Sequence, residues 1–263
     1  MRTTVTAPAA PPPLEAGTVA GRLLAFDTST ERMSIALQRG VGDTATLWQH
    51  TAAGGAQTST HLIPEIQRLM VQAQLGYDAL DAIVFGAGPG SFTGLRTACS
   101  VAQGLAFGAS VPVLPVDTLL AVAEDARQQL GSPAAFSVTA LLDARMDELY
   151  AASYYFESGI WSIIKGYSLI SPDNLVCSGV DVLAGNVFTA YGERLKDAGA
   201  QRVLALPTAT AMLRLAPHLL AVGAAVPADQ ALPTYIRDKV AQTTVERTAA
   251  KLALAPGLPV GPG

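Results

Sequence analysis

Residues able to do chemistry gather in three places. The stretch Gly86-Ala87-Gly88-Pro89-Gly90-Ser91-Phe92-Thr93-Gly94 follows the apolar run Ala82-Ile83-Val84-Phe85 and opens a small-residue run over 95–109. A strand, a glycine-rich turn and a helix start are expected there. Glycine removes the Cβ barrier to positive φ, and clustered N–H groups at a helix start favour an anion. The other two places are Asp27-Thr28-Ser29 and Asp143, each at the end of an apolar run. In phosphoryl-transfer sites such aspartates hold a magnesium-bound water near phosphates. The candidate phosphate- or nucleotide-facing set is therefore Asp27, Thr28, Ser29, Gly88, Gly90, Ser91 and Asp143.

The specific signatures fail. No lysine follows the glycines as a Walker loop requires, and the third glycine of a dinucleotide fingerprint falls on Ser91. A nucleophile elbow needs glycine on both sides of Ser91, where Pro89 and Thr93 stand. Neither aspartate turn has a glycine close behind it: Asp27 precedes Thr28-Ser29-Thr30, and Asp143 precedes Ala144-Arg145-Met146. A second reading thus stands beside the ligand reading, in which both aspartates bond their own turn N–H groups, and tight ATP binding is not expected. His50, His61 and His218 form no HExxH or His-x-x-x-His pair, so no metal site is expected. Glu65, one turn after His61, is a possible partner for it. Arg96 falls in the first turn of a helix, where a cation opposes the dipole and an anionic or acidic partner is expected to offset it. Arg145 is the other polar candidate.

Composition sets outer limits. With 263 residues, half of them hydrophobic and 14% charged, the chain can bury a sizeable core and keep a lightly charged surface suited to protein association. Seventeen basic residues against 21 acidic leave no electrostatic footprint for nucleic acid. Cys99 and Cys177 fit no zinc or redox spacing, and no apolar run spans a bilayer. A soluble, reduced cytoplasmic chain is expected. Residues 1–20, rich in Pro and Ala, are expected to form a disordered leader.

The elements that must position these residues are strands at 22–27, 34–37 and 44–51, a helix at 58–75 whose start Pro64 limits, and a strand before the glycine turn. A helix follows at 95–109, then a strand at 111–116 and a helix at 118–129 capped by Asp117. Further strands are expected near 167–170 and 187–190, a helix after Tyr191, and a helical stretch over 209–222 broken by Pro217. Residues 23–27 and 139–143 are apolar strands ending in Asp, each followed by a polar turn and a second β-like run at 33–37 and 149–155. A duplicated strand, Asp turn and strand is the pattern of the two-lobed α/β fold of actin, sugar kinases and Hsp70. The division expected is a leader at 1–20, a first lobe at 21–130, a second at 131–232 and a C-terminal segment and tail at 233–263.

Four motifs carry a family resemblance. Phe85-Gly-Ala-Gly-Pro-Gly-Ser-Phe-Thr-Gly-Leu-Arg96 resembles the signature of the TsaB (YeaZ) family. Leu24-Ala-Phe-Asp-Thr-Ser-Thr-Glu31 resembles its first strand and turn, Asp143-Ala-Arg-Met-Asp-Glu-Leu-Tyr150 its second-lobe hairpin, and Pro233-Thr-Tyr-Ile-Arg237 its C-terminal motif. Ala190-Tyr191-Gly192 departs from relatives with Gly-x-Gly there. The resemblance implies a non-catalytic subunit that pairs with TsaD, the threonylcarbamoyltransferase of tRNA, with the ATPase TsaE as a further partner and a homodimer when the chain is alone. It implies contact with tRNA only through the complex, no membrane, and ATP or ADP only at the level of the complex. In the family the two helices of the first lobe form the interface. Here they place Leu62, Ile66 and Leu69 on one stripe with Met70 beside it, and Ser100, Gly104 and Gly108 on one ridge. Two other classes remain open: an independent ATPase or phosphotransferase of the same fold, and a metal-dependent peptidase.

Overall fold

A computed structural model describes residues 21–237 apart from 178, 197 and 198; the leader and the tail expected from sequence lie outside the described residues. The first half runs β1 (Arg22–Asp27), β2 (Arg32–Arg39), β3 (Thr46–Ala53), α1 (Thr58–Ala73), β4 (Ala82–Gly88), α2 (Phe92–Ala109), β5 (Val113–Asp117) and α3 (Thr118–Gln129). The second runs β6 (Ala135–Arg145), β7 (Glu148–Glu157), β8 (Ile160–Ile170), β9 (Val182–Gly185), the single turn α4 (Phe188–Tyr191), β10 (Gln201–Leu204) and α5 (Ala209–Ala221).

The strands form two five-stranded sheets, β3-β2-β1-β4-β5 and β8-β7-β6-β9-β10. Each has the same pairing: the first strand is antiparallel to the second and parallel to the fourth, and the fourth parallel to the fifth where that pairing is made. The chain is thus a duplicated mixed-sheet protein of the actin, sugar-kinase and Hsp70-like class. The second copy is reduced: between β8 and β9 there is no counterpart of α1 among the described residues, and α4 is one turn where α2 has 18 residues.

Strand alternation divides the first sheet between two layers. Leu24, Phe26, Ile35, Leu37, Ile83 and Phe85 face α1 and α2. Leu23, Ala25, Ala36, Ala82 and Val84 face α5. The helices do not respect the division at 131. α3, which follows the first sheet, packs on the second through Leu119, Val122 and Ala126, while α5, which follows the second, packs on the first. This exchange of equivalent helices joins the lobes. Asp117 caps α3 as expected, accepting a bond from Leu119 N at 2.9 Å.

Local expectations fail at three places. Pro64 does not limit α1, which begins six residues earlier at Thr58; Pro64 and Thr60, whose carbonyl loses its partner, are both exposed, so water can supply the missing bond. The strand expected at 187–190 is instead α4, with the strand just before it at Val182–Gly185, and among the described residues no helix lies between Tyr191 and β10, since a short apolar run does not by itself separate strand from helix. Pro217 likewise lies within a continuous α5.

One site expectation also changes. Leu62, Ile66, Leu69 and Met70 are at most 3% exposed and form the core under α1, so this stripe is not a partner surface. The amphipathic pattern that marks a helix face cannot say whether the cover is the protein's own sheet or a partner. Leu69→Ala should cost about 2–5 kcal/mol in urea unfolding, whereas Val71→Ala, at a side chain 76% exposed, should stay within about 0.5 kcal/mol.

Candidate functional site

The glycine turn and the β1–β2 turn interlock. Thr28 Oγ1 donates to Gly94 O at 2.7 Å, and Ser91 N donates to Ser29 O at 2.7 Å. The approach is close enough to require the glycines. A Cβ on Gly94 would stand 1.8 Å from Thr28 O, and one on Gly90 2.6 Å from Ser29 Cβ. Gly88, at φ +123°, lies against Thr234 O, and Thr234 N donates to Ala87 O at 2.7 Å, which zips the C-terminal motif onto the end of β4. These glycines bring three backbones together.

Both aspartates bond their own turns. Asp27 Oδ1 accepts from Ser29 N at 2.9 Å and Ser29 Oγ at 2.8 Å. Asp143 Oδ1 accepts from Arg145 N at 2.8 Å and from Tyr191 Oη at 3.1 Å. They differ in burial. Asp143 borders the interlobe cleft. Asp27 is 1% exposed, and its Oδ2 has no hydrogen-bond partner among the described residues. A Cβ on Gly86 would meet that oxygen at 1.9 Å, with Met212 Cε 3.0 Å away.

The cleft has a volume of ≈ 410 Å³ between the two Asp turns, the glycine turn and residues 234–237. Of the candidate set, Ser29, Gly90, Ser91 and Asp143 line it. Asp27, Thr28 and Gly88 do not: the first two are buried by the interlocked turns, and Gly88 is covered by Thr234. Sequence reasoning missed Glu31 and Asn186 as cleft residues. Glu31 Oε1 accepts from Asn186 Nδ2 at 3.3 Å, and Glu31 Oε2 lies 3.9 Å from Arg145, whose other nitrogen pairs with Asp143 at 3.0 Å. No motif marks a bridge between residues 155 apart in sequence.

At the mouth, Arg96 finds an aromatic partner. Its guanidinium stacks 3.8 Å from the Phe92 ring centroid and its Nε donates to Tyr235 Oη at 3.1 Å, with the Phe92 and Tyr235 rings 5.4 Å apart. Arg237 pairs with Glu148 and donates to Arg145 O at 3.3 Å. Glu65 is held by Arg68 at 2.6 Å, with His50 at 3.8 Å, rather than by His61; the Arg68 bond lowers its carboxyl from the usual range. Among the described residues no three His, Cys, Asp or Glu side chains are grouped to hold a metal, and no helix is long and apolar enough to cross a membrane.

Burial pushes the Asp27 carboxyl from the ordinary 3.8 to about 7, against the lowering effect of the two Ser29 bonds. The folded protein therefore holds this proton more tightly than the unfolded chain. The resulting stabilisation is complete below pH 4 and is lost as pH rises through about 7. Between pH 5 and 8 it should remove about 2–3 kcal/mol. Asp27→Asn should lack this component, so its urea midpoint should fall less than the parent's between those pH values. An unchanged pH dependence would place the titration elsewhere.

Residues 50–257 match the family model described as TsaD: tRNA N6-adenosine threonylcarbamoyltransferase. The chain is 33% identical over 229 residues to the tRNA threonylcarbamoyladenosine biosynthesis protein TsaB of Escherichia coli, covering 84% of this chain and 96% of that one. It is 34% identical over 233 residues to the protein of the same name from Haemophilus influenzae, covering 83% and 94%. The solved structure of YeaZ from Pseudomonas aeruginosa superposes with a TM-score of 0.73 at 36% identity, over 82% of this chain and all of that one. The interlocked turns and duplicated sheets of this chain are therefore those of a member of the TsaB family, within the wider TsaD-like group.

Proposed function

We propose that this chain is a non-catalytic subunit of tRNA threonylcarbamoyladenosine synthesis that pairs with TsaD and supports its transfer of threonylcarbamoyl to the adenosine beside the anticodon. The observation that carries the reading is the outer surface of α1 and α2. Ser100, Gly104 and Gly108 are exposed, a Cβ on either glycine would meet nothing within 4 Å, and the two glycines border a hollow of ≈ 370 Å³. Each glycine costs about 1 kcal/mol in a helix relative to alanine. Among the described residues nothing fills the space they leave. Ile63, Val71 and Phe107 are exposed on the same two helices, at 41, 76 and 60%, and supply the apolar area that a helix-to-helix seam requires.

The non-catalytic assignment rests on where the candidate residues are spent. Asp27 is enclosed and Asp143 is tied to Arg145 and Tyr191, so neither aspartate is free to hold a metal-bound water. A tightly bound cofactor is not part of the proposal; ATP or ADP would enter at the level of the complex, with TsaE as the further partner. tRNA would be reached through the complex, in keeping with a net charge of −4, and the place of action would be the cytoplasm. When TsaD is absent the same helix surface would pair two copies of this chain. The competing ATPase reading requires micromolar ATP binding with turnover by the purified chain.

Gly104→Leu and Val71→Glu should each weaken co-purification with the same organism's TsaD at least tenfold. Both should leave the melting temperature within a few degrees, because neither position is enclosed. Unchanged TsaD affinity for both would place the interface on another surface.

A further inference from the structure

A second cavity lies between α3, α5 and the β7–β8 hairpin, on the side of the first sheet opposite α1 and α2. Its volume is ≈ 250 Å³. At its wall Glu124, 2% exposed, is saturated. Its Oε2 accepts from Arg127 Nε at 2.8 Å and Trp161 Nε1 at 3.2 Å, and its Oε1 from Arg214 Nε at 2.8 Å and Arg127 Nη2 at 3.1 Å. One carboxylate thus meets two guanidiniums and one positive charge is left over. Arg127 is only 15% exposed and stacks 4.2 Å over the Phe156 ring, and Arg214 is 31% exposed. Among the described residues no second carboxylate pairs with either. Both still carry N–H donors beyond those that Glu124 takes.

The remaining walls are apolar and flat: Leu120, Phe156, Trp161, Leu215 and Leu219, with His218 one turn beyond Arg214. An apolar enclosure with a few convergent polar groups is the usual build of a small-molecule site. A surplus cation at low exposure is stabilised by an anion more than by partial hydration. The volume lies below the range of drug-sized pockets and suits about ten non-hydrogen atoms.

We propose that this cavity binds a small organic carboxylate with a flat apolar body, the carboxylate taken by the N–H groups of Arg127 and Arg214 that Glu124 leaves free and the body lying between Trp161 and Leu219. The site is independent of the proposed TsaD surface. Phenylacetate is the probe. Titrated into the 15N-labelled chain, it should shift the Trp161 indole N–H resonance saturably with a Kd of about 1 mM or tighter, and neutral benzyl alcohol should bind at least tenfold more weakly. Arg214→Gln should weaken phenylacetate at least tenfold. Leu219→Trp, which fills the cavity while leaving all four bonds to Glu124 in place, should do the same and keeps the test valid if the arginine variant is unstable. No saturable shift with phenylacetate up to 20-fold above that Kd, equal binding of benzyl alcohol, or full-strength binding to Leu219→Trp would each overturn the assignment.

Discussion

The structure depends on one close approach, that of the glycine turn to the turn after β1. At Gly94 and Gly90 the two backbones leave no room for a Cβ, and Thr28 and Ser91 supply the bonds that hold them. Hydrogen bonds of this kind contribute about 1 kcal/mol each, but leaving a buried donor or acceptor unmade costs more. The geometry is therefore held by what separation would leave unpaired. With the turns locked, the floor of the cleft is set, Asp27 is sealed beneath it, and the C-terminal motif is drawn onto the end of β4 through Thr234.

The same constraint explains why a glycine-rich strand-to-helix turn here need not serve phosphates. Such a turn binds an anion when its N–H groups point outward and are free. Here Ser91 N is spent on Ser29 O, Gly88 is covered by Thr234, and Arg96 at the helix start is balanced by the Phe92 ring and Tyr235. The glycines serve packing between segments of the chain. The cleft that remains is bridged by Glu31, Asn186 and Arg145, polar side chains from both lobes.

Asymmetry between the two halves is the other organising fact. Sheet for sheet they are the same, yet among the described residues only the first carries long helices on its outer face. Inside, α3 and α5 are exchanged between the sheets, α3 burying Leu119 and Val122 in the cluster of the second sheet and α5 burying Met212 and Leu215 in that of the first, with Leu120 and Trp161 packed against both.

The order of strands and helices as far as β8, the paired Asp turns and the Asp117 cap were legible in the sequence because each depends on local pattern: runs of apolar residues, turn chemistry and capping side chains within a few positions. The four motifs likewise placed the chain among its relatives. What the sequence left open was every question of direction. The stripe at Leu62, Ile66 and Leu69 and the ridge at Ser100, Gly104 and Gly108 are both periodic, yet only the packing of the first sheet decided that one faces inward and the other outward. Asp27 and Asp143 occupy equivalent turns, but the approach of Gly86 enclosed one and the cleft bordered the other. Glu31 with Asn186, and Glu124 with Arg127, Arg214 and Trp161, are joined by side chains from strands and helices far apart in sequence. Such contacts depend on how the sheets stack, which no local pattern encodes.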